Sequence, residues 1–283
     1  MTRVVTTSAE MRAVPRGPGP RAVVTTMGAL HEGHVELMRR ARAQVGPQGE
    51  VVATIFVNPT QFAAGEDFGR YPRTLDDDVR ACSDAGVDLV FAPGVVDVYG
   101  NEIGFDANTV TVDPGPLGGI LEGASRPGHF TGVLTVVAKL FGLTAHDTAF
   151  FGEKDFQQLV LIRRMSRDLN LGVDVVGVPT VREPDGLALS SRNRFLSSSD
   201  RAVSAAIPTS LRAAVQAASA GPQAAVDAGL AVLADAPDVD LDYLVVTDPE
   251  LGPAPAAGEG RVLIAARVGS TRLIDNLPCR LGA

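Results

Sequence analysis

Thr26-Met27-Gly28-Ala29-Leu30-His31-Glu32-Gly33-His34 follows the apolar run Ala22-Val23-Val24 and precedes a helical pattern from Val35 to Ala43. The stretch reads as a strand, a turn and a helix, with two histidines at the turn. Residues three apart lie roughly 60° apart around a helix, so His31 and His34 can reach one ligand together. The free N–H groups and positive dipole end of a helix suit a phosphate. Gly28 and Gly33 let backbone or ligand approach where a side chain would block it. The arrangement points to nucleotide chemistry at a strand end.

Outward from this turn, the same alternation repeats. Residues 22–26, 51–57, 88–92, 148–151 and 173–178 are short apolar runs without a polar face, as expected of strands buried on both sides of a parallel sheet. Helical patterns lie between them at residues 34–44, 75–85, 132–143 and 156–169. In the last, Leu159, Ile162, Met165 and Leu169 form the expected apolar stripe. The alternation predicts an α/β fold, a Rossmann-like doubly wound parallel sheet, whose ligands bind at the carboxyl ends of the strands. Arg182-Glu183-Pro184-Asp185-Gly186 then interrupts the pattern with turn residues. Residues 199–236 are alanine-rich and helical, and 241–246 and 261–268 read as strands. A first domain of residues 1–183 and a smaller α+β domain of residues 184–283 follow, the latter within the usual size range.

Composition limits the function. The chain has 283 residues, 45% hydrophobic and 20% charged, with a net charge of −8. No basic stripe is present, so nucleic acid is not an expected partner. Cys82 and Cys279 stand far apart outside any CxxC spacing and read as reduced. No stretch approaches the roughly 20 apolar residues of a membrane span, and the N-terminal residues lack a signal-type apolar core. The expected location is the cytoplasm, with no membrane partner. No P-loop, GxSxG or GxGxxG pattern occurs, so any ATP is bound in another way.

Four further motifs carry candidate chemistry. In Asn58-Pro59-Thr60-Gln61 the turn would project Asn58 and Gln61 from the sheet edge, where amides suit a hydroxy acid; taken alone, the motif reads first as plain turn chemistry. In Gly152-Glu153-Lys154-Asp155-Phe156-Gln157-Gln158, Lys154 would offer a cation to phosphate and Gln158 would lie on the first helical turn. Asp155 there serves as an N-cap or binds a ribose hydroxyl. Leu189-Ser190-Ser191-Arg192-Asn193 groups two hydroxyls and a guanidinium, a compact phosphate-binding set, although a surface loop with a capping serine has the same composition. Arg126-Pro127-Gly128-His129 adds polar groups at another helix start. Asp76-Asp77-Asp78 reads as the acidic first turn of a helix rather than a metal site, and HEGH lacks both the HExxH spacing and an evident third ligand.

In this order the motifs resemble the pantothenate synthetase (pantoate–β-alanine ligase) family over nearly the whole chain. That family belongs to the superfamily with HIGH and KMSKS signatures, for which HEGH and Leu189-Ser190-Ser191-Arg192 stand here. The resemblance implies ATP-dependent condensation of pantoate with β-alanine, through a pantoyl adenylate, to give pantothenate, AMP and pyrophosphate. It implies an ATP site of Met27, Gly28, Ala29, Leu30, His31, Glu32, Gly33, His34, Gly152, Glu153, Lys154, Asp155, Val181, Leu189, Ser190, Ser191 and Arg192. His31, His34, Lys154 and Arg192 would be catalytic, Gln61 and Gln158 would bind pantoate, and Gln61 would border β-alanine. It further implies Mg²⁺ accompanying ATP, with no protein ligand assigned, a homodimer, and a C-terminal lid and dimerisation-side domain. Two positions depart from the family pattern: Thr25 replaces a common proline and Leu189 a usual methionine, and neither removes a catalytic group. The competing readings are another HIGH-type nucleotidyltransferase, a catalytically inactive nucleotide-binding module and, disfavoured by the acidic charge and the lack of a visible anticodon-type domain, a tRNA synthetase.

Overall fold

The computed structural model describes residues 2–62, 67–106 and 108–282. The chain divides into two compact units, one of residues 1–152 and 157–178, the other of residues 153–156 and 179–283.

The first unit contains β1 (Arg3–Val5), α1 (Ser8–Ala13), β2 (Arg21–Thr26), α2 (Glu32–Val45), β3 (Glu50–Ile55), α3 (Leu75–Asp84), β4 (Leu89–Phe91), α4 (Val95–Tyr99), α5 (Glu122–Ser125), α6 (His129–Thr144), β5 (Thr148–Gly152), α7 (Phe156–Asp168) and β6 (Asp174–Val178). Its six strands run in the order β1-β4-β3-β2-β5-β6, all parallel. The chain builds outward from β2 to β3 and β4, then returns to β5 beside β2, so strand order reverses between these two central strands. That reversal opens a crevice at their carboxyl ends. Both faces of the sheet are covered. Ala22, Val24, Val51, Ala53, Val90 and Phe150 pack with Leu37, Met38 and Ala41 of α2. The intervening Val23, Val52, Leu89, Phe91, Ala149 and Phe151 are equally buried, which is why these strands show no polar face.

The five expected sheet strands are present, with ends moved by one or two residues. The structure adds β1 and α1, hidden in a polar N-terminal stretch; α1 is started by Thr7, whose side chain and Glu10 form a reciprocal cap. The expected stripe on α7 is corrected at its end. Leu159, Ile162 and Met165 are buried, but the helix stops at Asp168 and Leu169 is exposed.

The second unit contains α8 (Ser198–Val203), α9 (Ala206–Ala217), α10 (Pro222–Ala234), β7 (Val239–Thr247), β8 (Gly258–Val268) and β9 (Thr271–Leu281). β7, β8 and β9 form an antiparallel sheet in that order. Its core joins Ile207, Leu211 and Ala214 of α9 to Val262, Ile264 and Ala266 of β8. Small residues let α9 and α10 come close. Gly229 lies against Ser210, whose hydroxyl donates to the Gly229 carbonyl at 2.9 Å.

Candidate active site

In the first unit, residues 27–31 leave β2 and enter α2 at the carboxyl edge of the sheet. The chain turns through two left-handed residues, Gly28 (φ 79°) and Ala29 (φ 50°). An alanine in that region costs about 1–2 kcal/mol, so something must hold it. Asp78, the last of the three consecutive aspartates and 2% exposed, supplies the restraint. Its carboxylate accepts from the backbone N–H of Ala29 at 3.1 Å and of Leu30 at 2.8 Å, and from the Thr74 hydroxyl at 3.2 Å. Gly28 leaves room for this approach, since a Cβ there would sit 2.9 Å from the Asp78 oxygen. The aspartate run is thus the acidic first turn of α3, and its third member shapes the histidine turn.

The two histidines cap α2 reciprocally. His31 is the N-cap, and its Nδ1 accepts from the Gly33 N–H at 3.1 Å. His34 Nδ1 accepts from the His31 N–H at 3.3 Å. The rings stand 4.1 Å apart between centroids. An imidazole that accepts at Nδ1 carries its proton on Nε2 when neutral, so the caps select the same tautomer in both rings. Each ring therefore has an Nε2–H donor at a helix N-terminus.

Gln61 lies in the short turn Pro59–Gln61 after β3. Its amide donates to Met27 Sδ at 2.9 Å and accepts from Asn58 Nδ2 at 3.2 Å. Its backbone carbonyl accepts from Arg126 Nη2 at 3.1 Å and His129 Nδ1 at 2.8 Å. A carbonyl only accepts, so His129 carries its proton on Nδ1 and receives the Arg126 guanidinium at Nε2, 3.0 Å away. The Arg126-Pro127-Gly128-His129 motif holds the Gln61 turn. Asn58 does not project as its turn position suggested. It is 1% exposed, its Oδ1 receives Tyr99 Oη at 2.7 Å and Thr60 Oγ1 at 3.0 Å, and its Nδ2 reaches the Gly132 carbonyl at 3.3 Å. Burial pushes the Tyr99 hydroxyl up to about 12, so it remains a donor.

β5 ends at Gly152 beside β2, and α7 begins at Phe156. Gln157 is turned inward, with its amide bound to the Leu117 and Ile120 carbonyls at 2.8 Å and to the Glu122 N–H at 3.0 Å. Gln158, next along the first turn, is half-buried.

The remaining candidates belong to the second unit. Glu153–Asp155 form a 3-10 turn, so Asp155 lies in that turn with Lys154 Nζ 3.4 Å from its carboxylate. Glu153 is drawn away by Arg261, at 2.8 Å. Residues 181–189 make a tight antiparallel hairpin: Leu189 N–H donates to the Val181 carbonyl at 2.9 Å, and Arg182 bridges to Ala188. The hairpin leads into the 3-10 turn Ser191–Phe195, capped by Ser190, whose hydroxyl accepts from the Arg192 N–H at 3.3 Å. Arg201 ties the tip of the hairpin, donating to Glu183 at 2.6 Å and to Asp185. The Arg201 hydrogen bond holds the Asp185 carboxyl below the usual carboxylate range. Sequence reasoning passed over Asp78's role, Tyr99, Arg261, Asp275 and Asn276. Each is paired with residues distant in sequence, so its local context gives no partner.

A parallel sheet whose strand order reverses between its central strands, with a His-x-x-His turn leaving one of them, defines an α/β enzyme of the nucleotidyltransferase fold. The model of the family described as pantoate-beta-alanine ligase matches residues 3–278, and the chain belongs to that family. It is 57% identical to the pantothenate synthetase of Saccharopolyspora erythraea over 268 residues, covering 94% of this chain and 86% of that protein. It is 53% identical to that of Mycolicibacterium smegmatis over 284 residues, covering 99% and 88%. The crystal structure of the Thermus thermophilus pantothenate synthetase superposes with a TM-score of 0.88 at 49% identity, covering 98% and 99%. A Francisella tularensis pantoate-β-alanine ligase, solved with βγ-ATP and β-alanine, superposes with a TM-score of 0.79 at 32% identity, covering 98% and 97%.

Proposed function

We propose that this chain, an ATP-dependent pantoate–β-alanine ligase, works in two steps through a pantoyl adenylate. In the first, a pantoate carboxylate oxygen attacks the α-phosphorus of MgATP, a P–O bond forms and pyrophosphate leaves. In the second, the β-alanine amine attacks the acyl carbon, AMP departs with the bonding electrons, and the amine loses a proton. A free carboxylate is a poor acyl donor; adenylation supplies the leaving group. The first step brings an anion to a polyanion, so positioning and charge neutralisation carry most of the acceleration.

The observation that carries the reading is the double capping of α2, which puts an Nε2–H donor on both His31 and His34. These donors serve the phosphates, with His34 at the α-phosphate as charge shifts. Residues 27–30 line the nucleotide with backbone, and Glu32 and Gly33 continue that edge. Lys154, Ser190, Ser191 and Arg192 hold the β- and γ-phosphates and the departing pyrophosphate. Gly152, Glu153, Asp155, Val181 and Leu189 border ribose and adenine. Gln61 and Gln158 grip the pantoate hydroxyl and carboxylate, and Gln61 borders β-alanine. Among the described residues no three His, Cys, Asp or Glu side chains group as a metal cage. Mg²⁺ would accompany ATP and supply charge neutralisation at its phosphates.

Residues 1–183 would bind nucleotide and pantoate, and residues 184–283 would act as lid and dimerisation-side domain of a cytoplasmic homodimer, whose mass sedimentation equilibrium checks. The defining test is His34→Ala. Pyrophosphate release from MgATP and pantoate should fall by about 10²–10³ with the fold retained, the loss expected for one preorganised donor. Near-normal release would remove His34 from this role.

A further inference from the structure

Every polar atom of the Asn276 side chain, 2% exposed on β9, is committed within the second unit. Its Nδ2 donates to two successive carbonyls, Glu153 and Lys154, each at 2.9 Å. Its Oδ1 receives Arg261 Nε at 2.7 Å, which fixes which way the amide faces. Arg261 also pairs with the Glu153 carboxylate and lies 3.9 Å from the Phe156 ring centroid. Glu153, Lys154 and Phe156 are therefore held by β8 and β9, although the chain reaches them from β5. One side-chain amide thus bridges two successive carbonyls of the turn.

The residue before Asn276 holds the other cation-bearing loop. Asp275, 2% exposed, receives Arg182 at both oxygens, 2.6 Å from Nη1 and 2.9 Å from Nη2. Arg182 Nη1 also donates to the Gly186 carbonyl at 2.9 Å. Arg182 thereby fixes the hairpin that presents Ser190, Ser191 and Arg192. A second bond, from the Asn276 N–H to Asp275 Oδ1 at 2.7 Å, ties the two anchors together. Two neighbouring residues of one strand thus set the position of both segments.

We propose that Asp275 and Asn276 are positioning residues for adenylation, a single anchor that holds the Lys154 turn and the 190–192 segment at the separation a triphosphate requires. The inference rests on the assignment of Lys154 and Arg192 to the phosphates. Loops are mobile by default, and cations on two independent loops would have to be brought into register each time ATP binds. A strand that grips both backbones removes that cost before binding. Neither residue needs to touch substrate. Asn276 acts through the Lys154 backbone and Asp275 through Arg182.

The test is a double-mutant cycle on the full chain, read by pyrophosphate release with MgATP and pantoate. Asn276→Ala should lower kcat/KM for ATP at least tenfold, leave the KM for pantoate within twofold, and have no further effect when Lys154→Ala is already present. A merely structural loss would reduce the active fraction without splitting the two KM values. It would also multiply with Lys154→Ala. Multiplied losses, or an equal rise in the pantoate KM, overturn the proposal. Lys154→Ala without effect would refute the phosphate assignment, and the anchor with it; an impaired Lys154→Ala beside an unimpaired Asn276→Ala would refute the anchor alone. Should Asn276→Ala not fold, Arg261→Lys, which keeps a cation for Glu153 but loses the Nε bond that orients the amide, takes its place in the same cycle with the same expected split.

Discussion

Replacing Gly132 by alanine sets helix propensity against packing. Gly132 is the fourth residue of α6, and at an open helical site the change would stabilise by about 1 kcal/mol. Here the added Cβ would stand 2.2 Å from the Thr60 carbonyl oxygen, 2.6 Å from its carbon and 2.9 Å from the Gln61 nitrogen. These are backbone atoms, so no rotamer change relieves the clash, and the turn would have to retreat by more than about 1 Å to reach ordinary contact. Such overpacking costs about 1–3 kcal/mol, enough to cancel or exceed the propensity gain. The displaced turn carries Gln61, whose carbonyl is pinned by Arg126 and His129. A shift of this size in the residue proposed to grip pantoate should lower kcat/KM for pantoate by about tenfold to a hundredfold. The KM for ATP should stay within twofold. Scanning calorimetry and initial rates of pantothenate formation measure both consequences. A raised melting temperature together with an unchanged pantoate KM would refute the packing argument and the role of the turn.

Asp78→Ala removes the acceptor for the Ala29 and Leu30 N–H groups at the histidine turn, and at about 1.5–3 kcal/mol per bond to a charged group the loss should reach about 3–6 kcal/mol. Urea unfolding reads it; a midpoint equal to the parent's would show that Ala29 holds its left-handed conformation unaided. His146 supplies a pH dependence. Thr144 donates its hydroxyl to the Leu140 carbonyl, so its oxygen receives His146 Nδ1–H at 2.7 Å, and the buried Nε2 has no partner among the described residues. Burial, opposed in part by Asp147, lowers its pKa from 6.5 to about 3. The unfolded state binds the proton first, so the contribution is complete above pH 6.5 and is lost progressively as the pH falls towards 3, with a slope of up to about 1.4 kcal/mol per pH unit. His146→Leu should flatten the stability profile in that window by about one proton, and an unaltered slope would contradict the assignment.

What the sequence disclosed follows from how local each signal is. The central strands are legible because a strand buried on both faces is a short uninterrupted apolar run, as Ala22-Val23-Val24 shows. β9 is not, since Asp275, Asn276 and Pro278 break any such pattern. The first two are buried because they are paired, and Pro278 lies on an edge strand, where a missing N–H is tolerated. β1 spans only three residues and offers no period to read. His31 and His34 announce themselves by spacing, because their partnership is made within one helical turn. Asp78 meets the same turn from 48 and 49 residues away, and Asn276 reaches Lys154 across 122 residues, so no local pattern could join them. Asn58 misled for the opposite reason. Its turn position suggested projection, whereas Tyr99 and Gly132, both distant in sequence, draw it inward.

The central claim is that the carboxylate is adenylated before the amine arrives. Pantoate-dependent exchange of labelled pyrophosphate into ATP, measured on the purified chain without β-alanine, tests it directly. The account predicts exchange that needs both pantoate and Mg²⁺ and is lost in His34→Ala, with pantothenate and AMP formed on adding β-alanine. Exchange that required β-alanine would contradict a separate adenylation step.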